Sequence, residues 1–211
     1  ISYDPKAAPI YDGLVHDYKM GEAIARPGYQ GVRRTPLDEP LDDFFFDQSY
    51  THALGAARPH ADGSPSGQVV NLDARRKIAS LPIAGMPHLG SGITFDWQGT
   101  RVLASPNLKD GVISVIDMKS WQTIKQIKTN GPGFFMRSHE NSRYAWTDSM
   151  MSKAFKDTMQ IIDKEKLEVV AELKPEPGKT FAHVEFTKDG KYVLASLWEN
   201  DGAIIIYDAV T

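Results

Sequence analysis

The chain has 211 residues, of which 41% are hydrophobic, enough for a substantial core in one domain or in part of a larger one. The net charge is −3 without a basic stripe, and no stretch reaches the roughly 20 apolar residues of a spanning helix, so we expect neither a nucleic-acid partner nor a membrane span. The absence of cysteine excludes a disulfide framework, thiolate zinc ligands, a cysteine nucleophile and c-type haem attachment within this sequence.

Residues 1–40 are the least regular part of the sequence. They contain five prolines and four glycines without helical periodicity, so we expect short strands, such as one over 10–18, joined by long loops. Arg26, Arg33 and Arg34 form a small basic cluster in this part. The cluster is either a solvated loop or a clamp for a ligand carboxylate.

From residue 43 onward, a short apolar strand that ends in aspartate recurs. The four copies end at Asp73, Asp117, Asp163 and Asp208, so that the later ones follow Asp73 by 44, 90 and 135 residues. Two further apolar segments precede each copy, and another follows the first three. Four short strands per roughly 45 residues indicate the blades of a β-propeller, whereas a helical solenoid would need a 3.6-residue period.

Each repeat is predicted to hold its strands in the same order. The first strands are 43–47, 93–97, 134–137 and 183–187, and the second strands are 50–56, 101–105, 143–147 and 191–197. The third strands are 68–73, 112–117, 159–163 and 203–208, and the fourth strands are 77–83, 123–127 and 167–173. We therefore predict an all-β chain that is a partial β-propeller of about four and a half blades, with no second domain; since an open propeller exposes strand edges, we expect further chain to close the ring.

Three histidines occur in similar places near the first strands of successive repeats: His88, His139 and His183. In a propeller the first strand of each blade lines the central channel, and the loop that leads into it lies on one face of the disc. We therefore predict that the three imidazoles share one position and face a common site. The other histidines are out of phase and are expected to be structural: His16, His52 and His60.

Imidazoles around an apolar axial pocket suit metal ligation, coordination of a cofactor's iron, or proton transfer near neutral pH. A tri-histidine zinc site is one option. Apolar side chains in the same loops favour a flat macrocycle over a bare ion with water: Leu89, Phe134, Phe135, Met136 and Phe181. Three cations near these loops could meet the carboxylates of such a ligand: Arg137, Arg143 and Lys179.

Several stretches resemble the haem d1 domain of the cytochrome cd1 family, namely residues 87–92, 131–142, 185–190 and 196–198. The resemblance covers most of residues 43–211 and, more weakly, residues 1–42. The family includes the periplasmic nitrite reductase of denitrifying bacteria and the dihydro-haem d1 dehydrogenase that completes the cofactor. The resemblance implies an eight-bladed propeller with haem d1 in its central channel, usually preceded by a c-type cytochrome domain.

The resemblance also implies roles for individual residues. The positions of His88 and His139 match the distal histidines that protonate nitrite in the reductases. His183 departs from the reductase pattern and is similar to an axial iron ligand of the dehydrogenase branch, in which the His88 position acts in proton removal. This favours the dehydrogenase, with His88 and His139 as catalytic residues and His183 as the ligand of the haem iron. Three further residues are expected to bind the cofactor: Tyr18, Phe135 and Arg137.

The implied reaction converts the propionate side chain of dihydro-haem d1 to an acrylate, with loss of two electrons and two protons. His88 would act as the base with support from His139, and electrons would pass through the iron to a c-type haem expected on a further part of the same polypeptide, or to a c-type cytochrome partner. The resemblance places the protein in the periplasm, and a homodimer is left open.

Three alternatives remain. The first is reduction of nitrite to nitric oxide, with His88 and His139 as acids. The second is a non-catalytic carrier of haem d1, and the third is a propeller scaffold whose histidines are incidental.

Overall fold

The structure, a computed structural model, describes residues 35–37 and 39–210 together with the backbone of two short paired strands, Ser2–Tyr3 (β1) and Val32–Arg33 (β2). The predicted strand at 10–18, Tyr18 and the side chains of the arginine cluster lie outside the described residues. Apart from a 3-10 turn at Leu89–Ser91, the described elements are strands. No helix in this part of the chain is long and apolar enough to cross a membrane.

Four antiparallel sheets follow one another along the chain, each with its strands side by side in sequence order. Blade 1 consists of Asp43–Phe46 (β3), His52–Ala56 (β4), Gly67–Asn71 (β5) and Arg76–Leu81 (β6). Blade 2 consists of Ile93–Trp97 (β7), Thr100–Ser105 (β8), Val112–Asp117 (β9) and Thr123–Lys128 (β10). Blade 3 consists of Met136–Ser138 (β11), Tyr144–Asp148 (β12), Met159–Asp163 (β13) and Glu168–Leu173 (β14). Blade 4 consists of three strands, Phe181–Phe186 (β15), Tyr192–Leu197 (β16) and Ala203–Asp208 (β17). The four strands of each of blades 1 to 3 confirm the predicted four-strand repeat.

The residue at the end of each third strand explains the repeat. Asp117 and Asp163 each accept two backbone N–H groups of the following turn, at 2.6–3.2 Å, and so start the hairpin to the fourth strand. In blade 1 this strand ends at Asn71, whose side-chain oxygen accepts the N–H of Ala74 at 2.7 Å. The prediction that Asp73 fills this place is therefore wrong, and the third strands end 46 residues apart from Asn71 to Asp117 and again from Asp117 to Asp163.

The core lies between neighbouring blades. One apolar cluster joins blades 1 and 2, a second joins blades 2 and 3, and a third joins blades 3 and 4. In the second cluster, Val102 and Val115 of blade 2 pack with Met136 and Ile162 of blade 3. Because the middle strands are covered on both faces, they carry continuous apolar runs rather than alternating ones; β13 is buried at every position.

The first strands of blades 2, 3 and 4 are neighbours, since β11 contacts both β7 and β15. Each begins the same up-and-down meander, so the three run in the same direction. The loops that lead into them therefore meet on one side, here called the entry face. The tight turns from first to second strands meet on the opposite side, here called the hairpin face.

Candidate functional site

Four aromatic rings form a continuous row on the entry face. The ring of His88 lies 4.2 Å from that of Phe134, Phe134 lies 4.7 Å from Phe135, and Phe135 lies 4.5 Å from His183, measured between ring centroids. His88 comes from the loop before blade 2, the phenylalanines from the loop before blade 3, and His183 from blade 4. This aromatic row brings three of the predicted site residues together, namely His88, Phe135 and His183.

The imidazole of His88 is oriented with one nitrogen available. Its Nδ1 lies 2.7 Å from the carbonyl oxygen of Phe134, and because a carbonyl only accepts, Nδ1 carries the hydrogen and donates it. The backbone N–H of His88 donates to the carbonyl of Pro106 at 2.8 Å, which fixes the residue from a second side. In the neutral ring the proton-accepting nitrogen is therefore Nε2, and it lies 3.9 Å from a carboxylate oxygen of Asp43.

Asp43, at the start of blade 1, supports the loop that carries His88. Its carboxylate accepts the N–H of Gly90 at 2.9 Å. A Cβ at Gly90 would come within 2.5 Å of the same carboxylate, so this close approach requires glycine. Sequence analysis missed Asp43, because it lies 45 residues before His88 and only the packing of blade 1 against blade 2 brings the two together.

The two phenylalanines are held by the buried carboxylate of Asp148, at the end of β12. Its oxygens accept the backbone N–H of Phe134 at 2.8 Å and that of Phe135 at 3.0 Å, and a third bond comes from Met150 at 3.3 Å. Asp148 is 1% exposed, and this burial raises the pKa of its carboxyl although the N–H groups act in the opposite direction. A Cβ at Gly133 would collide with the backbone oxygen of Asp148, so the loop fits the strand only with glycine there.

His183 lies in a β-bulge of β15. The ladder to β16 pairs Ala182 and then Val184, so His183 is passed over, and its φ is 55°. Among the described non-glycine residues with positive φ, it is the one inside a strand; an outlier of this kind points to a functional constraint. Its side chain is 50% exposed, with Nε2 3.9 Å from a carboxylate oxygen of Glu185.

Arg137 lies beside the row on β11. Its Nε donates to Glu185 at 2.9 Å, the same carboxylate oxygen that faces Nε2 of His183. A second donor of its guanidinium bonds the carbonyl of Met136 at 2.9 Å. Two of the predicted site residues, Arg137 and His183, thus lie next to the same carboxylate.

The prediction that the three histidines share one position of the repeat is wrong: His88 lies in the loop before β7, His183 lies inside β15, and His139 follows β11. The N–H of Ser142 donates to the carbonyl of His139 in the turn after β11, as the N–H of Gly190 does to Thr187 after β15. His139 therefore corresponds to Thr187, four residues beyond His183, which is roughly 13 Å along a strand.

Both ring nitrogens of His139 are also engaged on the hairpin face. Nε2 lies 3.1 Å from the carbonyl of Lys188 and must donate to it, while Nδ1 accepts the N–H of Asn141 at 3.1 Å. The ring lines a polar cleft of 930 Å³ together with Lys164, whose pKa burial lowers. None of the rings of the aromatic row lines that cleft.

Other expectations also change. The described residues contain no group of three or more histidine or carboxylate side chains placed to hold a metal ion, so the tri-histidine zinc site is wrong. Leu89, Met136 and Phe181 are at most 1% exposed and belong to the core. Arg143 pairs with Asp163 on the hairpin face, and Lys179 pairs with acidic neighbours of its own blade.

Two of the histidines that were expected to be structural, His52 and His60, lie within the described residues, and their contacts agree with that expectation. His52 bonds Thr51 and faces Asn71 within blade 1, and His60 bonds Ser64 in the loop between β4 and β5. The predicted pocket residue Tyr18 lies outside the described residues and stays a prediction.

A meander of up-and-down blades, with two histidines in an aromatic row on the entry face, defines a partial β-propeller with a candidate ligand-binding face. The chain matches the family described as the Cytochrome D1 heme domain over residues 29–211. It belongs to this family.

Known relatives agree with the fold and the family. The chain is 49% identical over 192 residues to the dihydro-heme d1 dehydrogenase of Pseudomonas aeruginosa, covering 91% of this chain and 37% of that protein. It is 30% identical over 198 residues to Protein NirF of Stutzerimonas stutzeri, covering 92% and 48%. A solved structure of dihydro-heme d1 dehydrogenase NirN in complex with DHE matches with a TM-score of 0.79 and 47% identity, over 87% of this chain and 38% of that chain. The chain thus spans less than half the length of each of these relatives.

Proposed function

We propose that this chain is part of an oxidoreductase that binds dihydro-haem d1 and dehydrogenates its propionate side chain to an acrylate. The 49% identity to a dihydro-heme d1 dehydrogenase and the similarity to the NirN complex support the substrate class. The geometry of His88 carries the proposal, because Nδ1 is fixed as a donor and Nε2 is left as an acceptor on the ligand-binding face.

The residues of the aromatic row fit an iron-bearing macrocycle. A tetrapyrrole brings four nitrogen ligands of its own, so one protein imidazole is sufficient where a bare ion would need three or four ligands. The half-exposed His183 supplies such an imidazole, and the rings of Phe134 and Phe135 offer flat apolar surface next to it. The iron of the bound tetrapyrrole would supply a route for electrons out of the substrate.

The chain's own part of the reaction is proton removal and orientation. Forming the C=C bond from two neighbouring CH₂ groups releases two protons and two electrons. His88 takes one proton on Nε2, and the resulting imidazolium faces the negative charge of Asp43, 3.9 Å away. The second proton goes to solvent, and the two electrons go one at a time to the external c-type haem or cytochrome proposed below. His183 would hold the macrocycle, and Arg137 would meet one of its carboxylates.

We further propose that the electrons pass to a c-type haem or cytochrome outside this chain, and that the protein acts in the periplasm of a denitrifying bacterium. The family resemblance supports both statements. A homodimer stays a prediction.

The position of His139 weakens the nitrite reductase alternative. That reaction was predicted to use His88 and His139 together as acids, whereas the two lie on opposite faces of the propeller. One of the two proposed proton donors is therefore absent from the aromatic row.

The test is turnover of dihydro-haem d1 by the full-length protein, followed by the absorption change on formation of the acrylate, with nitrite reduction assayed in parallel. We expect dehydrogenation, and its loss in His88→Gln without loss of ligand binding. Nitric oxide production instead would support the reductase. Tight binding of dihydro-haem d1 without turnover in either assay would support a carrier. If the protein binds no dihydro-haem d1 at all, a scaffold would be supported.

A further inference from the structure

We propose that Asp148 is a positioning residue that sets the geometry of both histidines of the aromatic row. The inference rests on the proposed function and deepens it. Neither histidine ring forms a hydrogen bond with the Asp148 side chain; the carboxylate would act on His88 through Phe134 and on His183 through Phe135.

The connection to His88 runs through Phe134. The N–H of Phe134 donates to Oδ1 of Asp148 at 2.8 Å, and the carbonyl of Phe134 accepts Nδ1–H of His88 at 2.7 Å. The carboxylate thereby orients the residue whose carbonyl selects the tautomer of the base. If Phe134 turned away, Nδ1 would lose its partner and Nε2 would no longer be fixed as the accepting nitrogen.

The connection to His183 runs through Phe135. The N–H of Phe135 donates to Oδ2 of Asp148 at 3.0 Å, and the Phe135 ring lies 4.5 Å from the ring of His183. The carboxylate thereby holds the residue against which the His183 ring packs, next to the bulge where the β15–β16 ladder shifts register.

A carboxylate suits this place better than an amide. The N–H groups of Phe134 and Met150 point to Oδ1, and that of Phe135 points to Oδ2, so both oxygens must accept. An asparagine accepts with one atom only, and its NH₂ group would face an N–H donor. Burying such an unsatisfied pair favours release of the loop from the strand.

Asp163 provides a matched control. It is also buried, lies in the same blade and accepts two backbone N–H groups, but it does so on the hairpin face, where it also pairs with Arg143. A merely structural role predicts that either substitution lowers stability without a specific effect on the ligand, whereas a positioning role predicts that only Asp148 affects the ligand.

The experiment compares Asp148→Asn and Asp163→Asn in the full-length protein, with dihydro-haem d1 as the probe. For Asp148→Asn we expect an altered absorption spectrum of the complex and affinity weaker by about 10- to 100-fold, as for other supports of metal-binding histidines. Without ligand, amide hydrogen exchange should accelerate at Phe134, Phe135 and Met150, whose N–H groups Asp148 accepts. Asp163→Asn should change neither readout at these positions.

A wild-type spectrum and affinity together with unchanged amide exchange in Asp148→Asn would overturn the inference, as would equal effects of the two variants. If Asp148→Asn does not fold, Asp148→Glu, which keeps the buried charge but displaces it, carries the same comparison. If the wild-type protein does not bind dihydro-haem d1, the proposed function fails. The exchange measurement without ligand then still decides whether Asp148 holds the loop that carries Phe134 and Phe135.

Discussion

The entry face and the hairpin face of blade 3 and its neighbours use similar residues for different ends. On the entry face, His88 engages one ring nitrogen with a carbonyl and keeps the other as an acceptor. On the hairpin face, His139 engages both nitrogens with the backbone of two turns. The contacts of a histidine, rather than its place in a repeat, decide whether it is available for chemistry.

The aspartates differ in the same way. Asp163 on the hairpin face is paired with Arg143 at 2.7 Å, and this partner lowers the pKa of its carboxyl. Asp148 on the entry face is held by N–H groups alone within the described residues, and burial raises the pKa of its carboxyl. On the hairpin face, the charge of Asp163 is thus compensated by Arg143. On the entry face, the carboxylate of Asp148 instead orients the loop that carries Phe134 and Phe135.

The largest expected effect separates the two histidines. We expect His88→Gln to lower kcat for dihydro-haem d1 dehydrogenation by about 10²- to 10⁴-fold, the usual contribution of a general base. His139→Gln should change kcat by less than several-fold, because its contacts lie within turns of the hairpin face. Steady-state kinetics of both variants test this difference. An equal loss of kcat in the two variants would indicate that His139 also takes part in the reaction.

The next effect concerns the ligand role of His183. In His183→Gly we expect loss of the spectrum of the ligated iron and its recovery on addition of imidazole. The fold should tolerate this change, since glycine adopts a φ of 55° without strain. His183→Ala should be less stable than His183→Gly by about 1 kcal/mol in chemical denaturation. An unchanged spectrum in His183→Gly would contradict the axial assignment.

A smaller effect compares two glycines. Gly133→Ala places a Cβ against the backbone oxygen of Asp148 on the entry face, and we expect a loss of unfolding free energy of about 1–3 kcal/mol. At Gly99, in a hairpin-face turn with φ of 80°, a Cβ meets nothing within 4 Å, so Gly99→Ala should cost only about 1 kcal/mol of backbone strain. Denaturant titrations of the two variants test this order.

The smallest effect is a pH dependence on the hairpin face. Hydrogen bonds from Arg143 hold the pKa of Asp163 below its ordinary value, so the folded state binds this proton less readily than the unfolded state. The resulting stabilisation is present above about pH 4 and is lost as the pH falls through the lowered pKa. We expect Arg143→Gln to lower the melting temperature near pH 7, with a difference from wild type that shrinks in acid. A difference independent of pH would contradict this account.

Much of the fold could be predicted from the sequence because propeller strands are short apolar runs separated by turn residues. The predicted strands 93–97, 112–117, 159–163 and 203–208 have the bounds found in the structure. The error at Asp73 arose because Asn71 makes the same turn bond, and the aspartate pattern concealed it. For the candidate site, His88, Phe135, Arg137 and His183 could be singled out from the sequence, whereas the contacts of Asp43 and Asp148 with this region appear only in the structure.

The sequence by itself determined the repeat, the propeller and the family, because these follow from local apolar runs, turn residues and recognisable loops. Only the tertiary structure decided which side chains meet. In blade 3 the strand that precedes His139 is three residues long and starts at Met136, which leaves the phenylalanines in the entry loop and moves His139 to the opposite face. A shift of a few residues along a strand is nearly invisible in sequence, yet it carries a side chain from one end of the propeller to the other, since each residue advances about 3.3 Å.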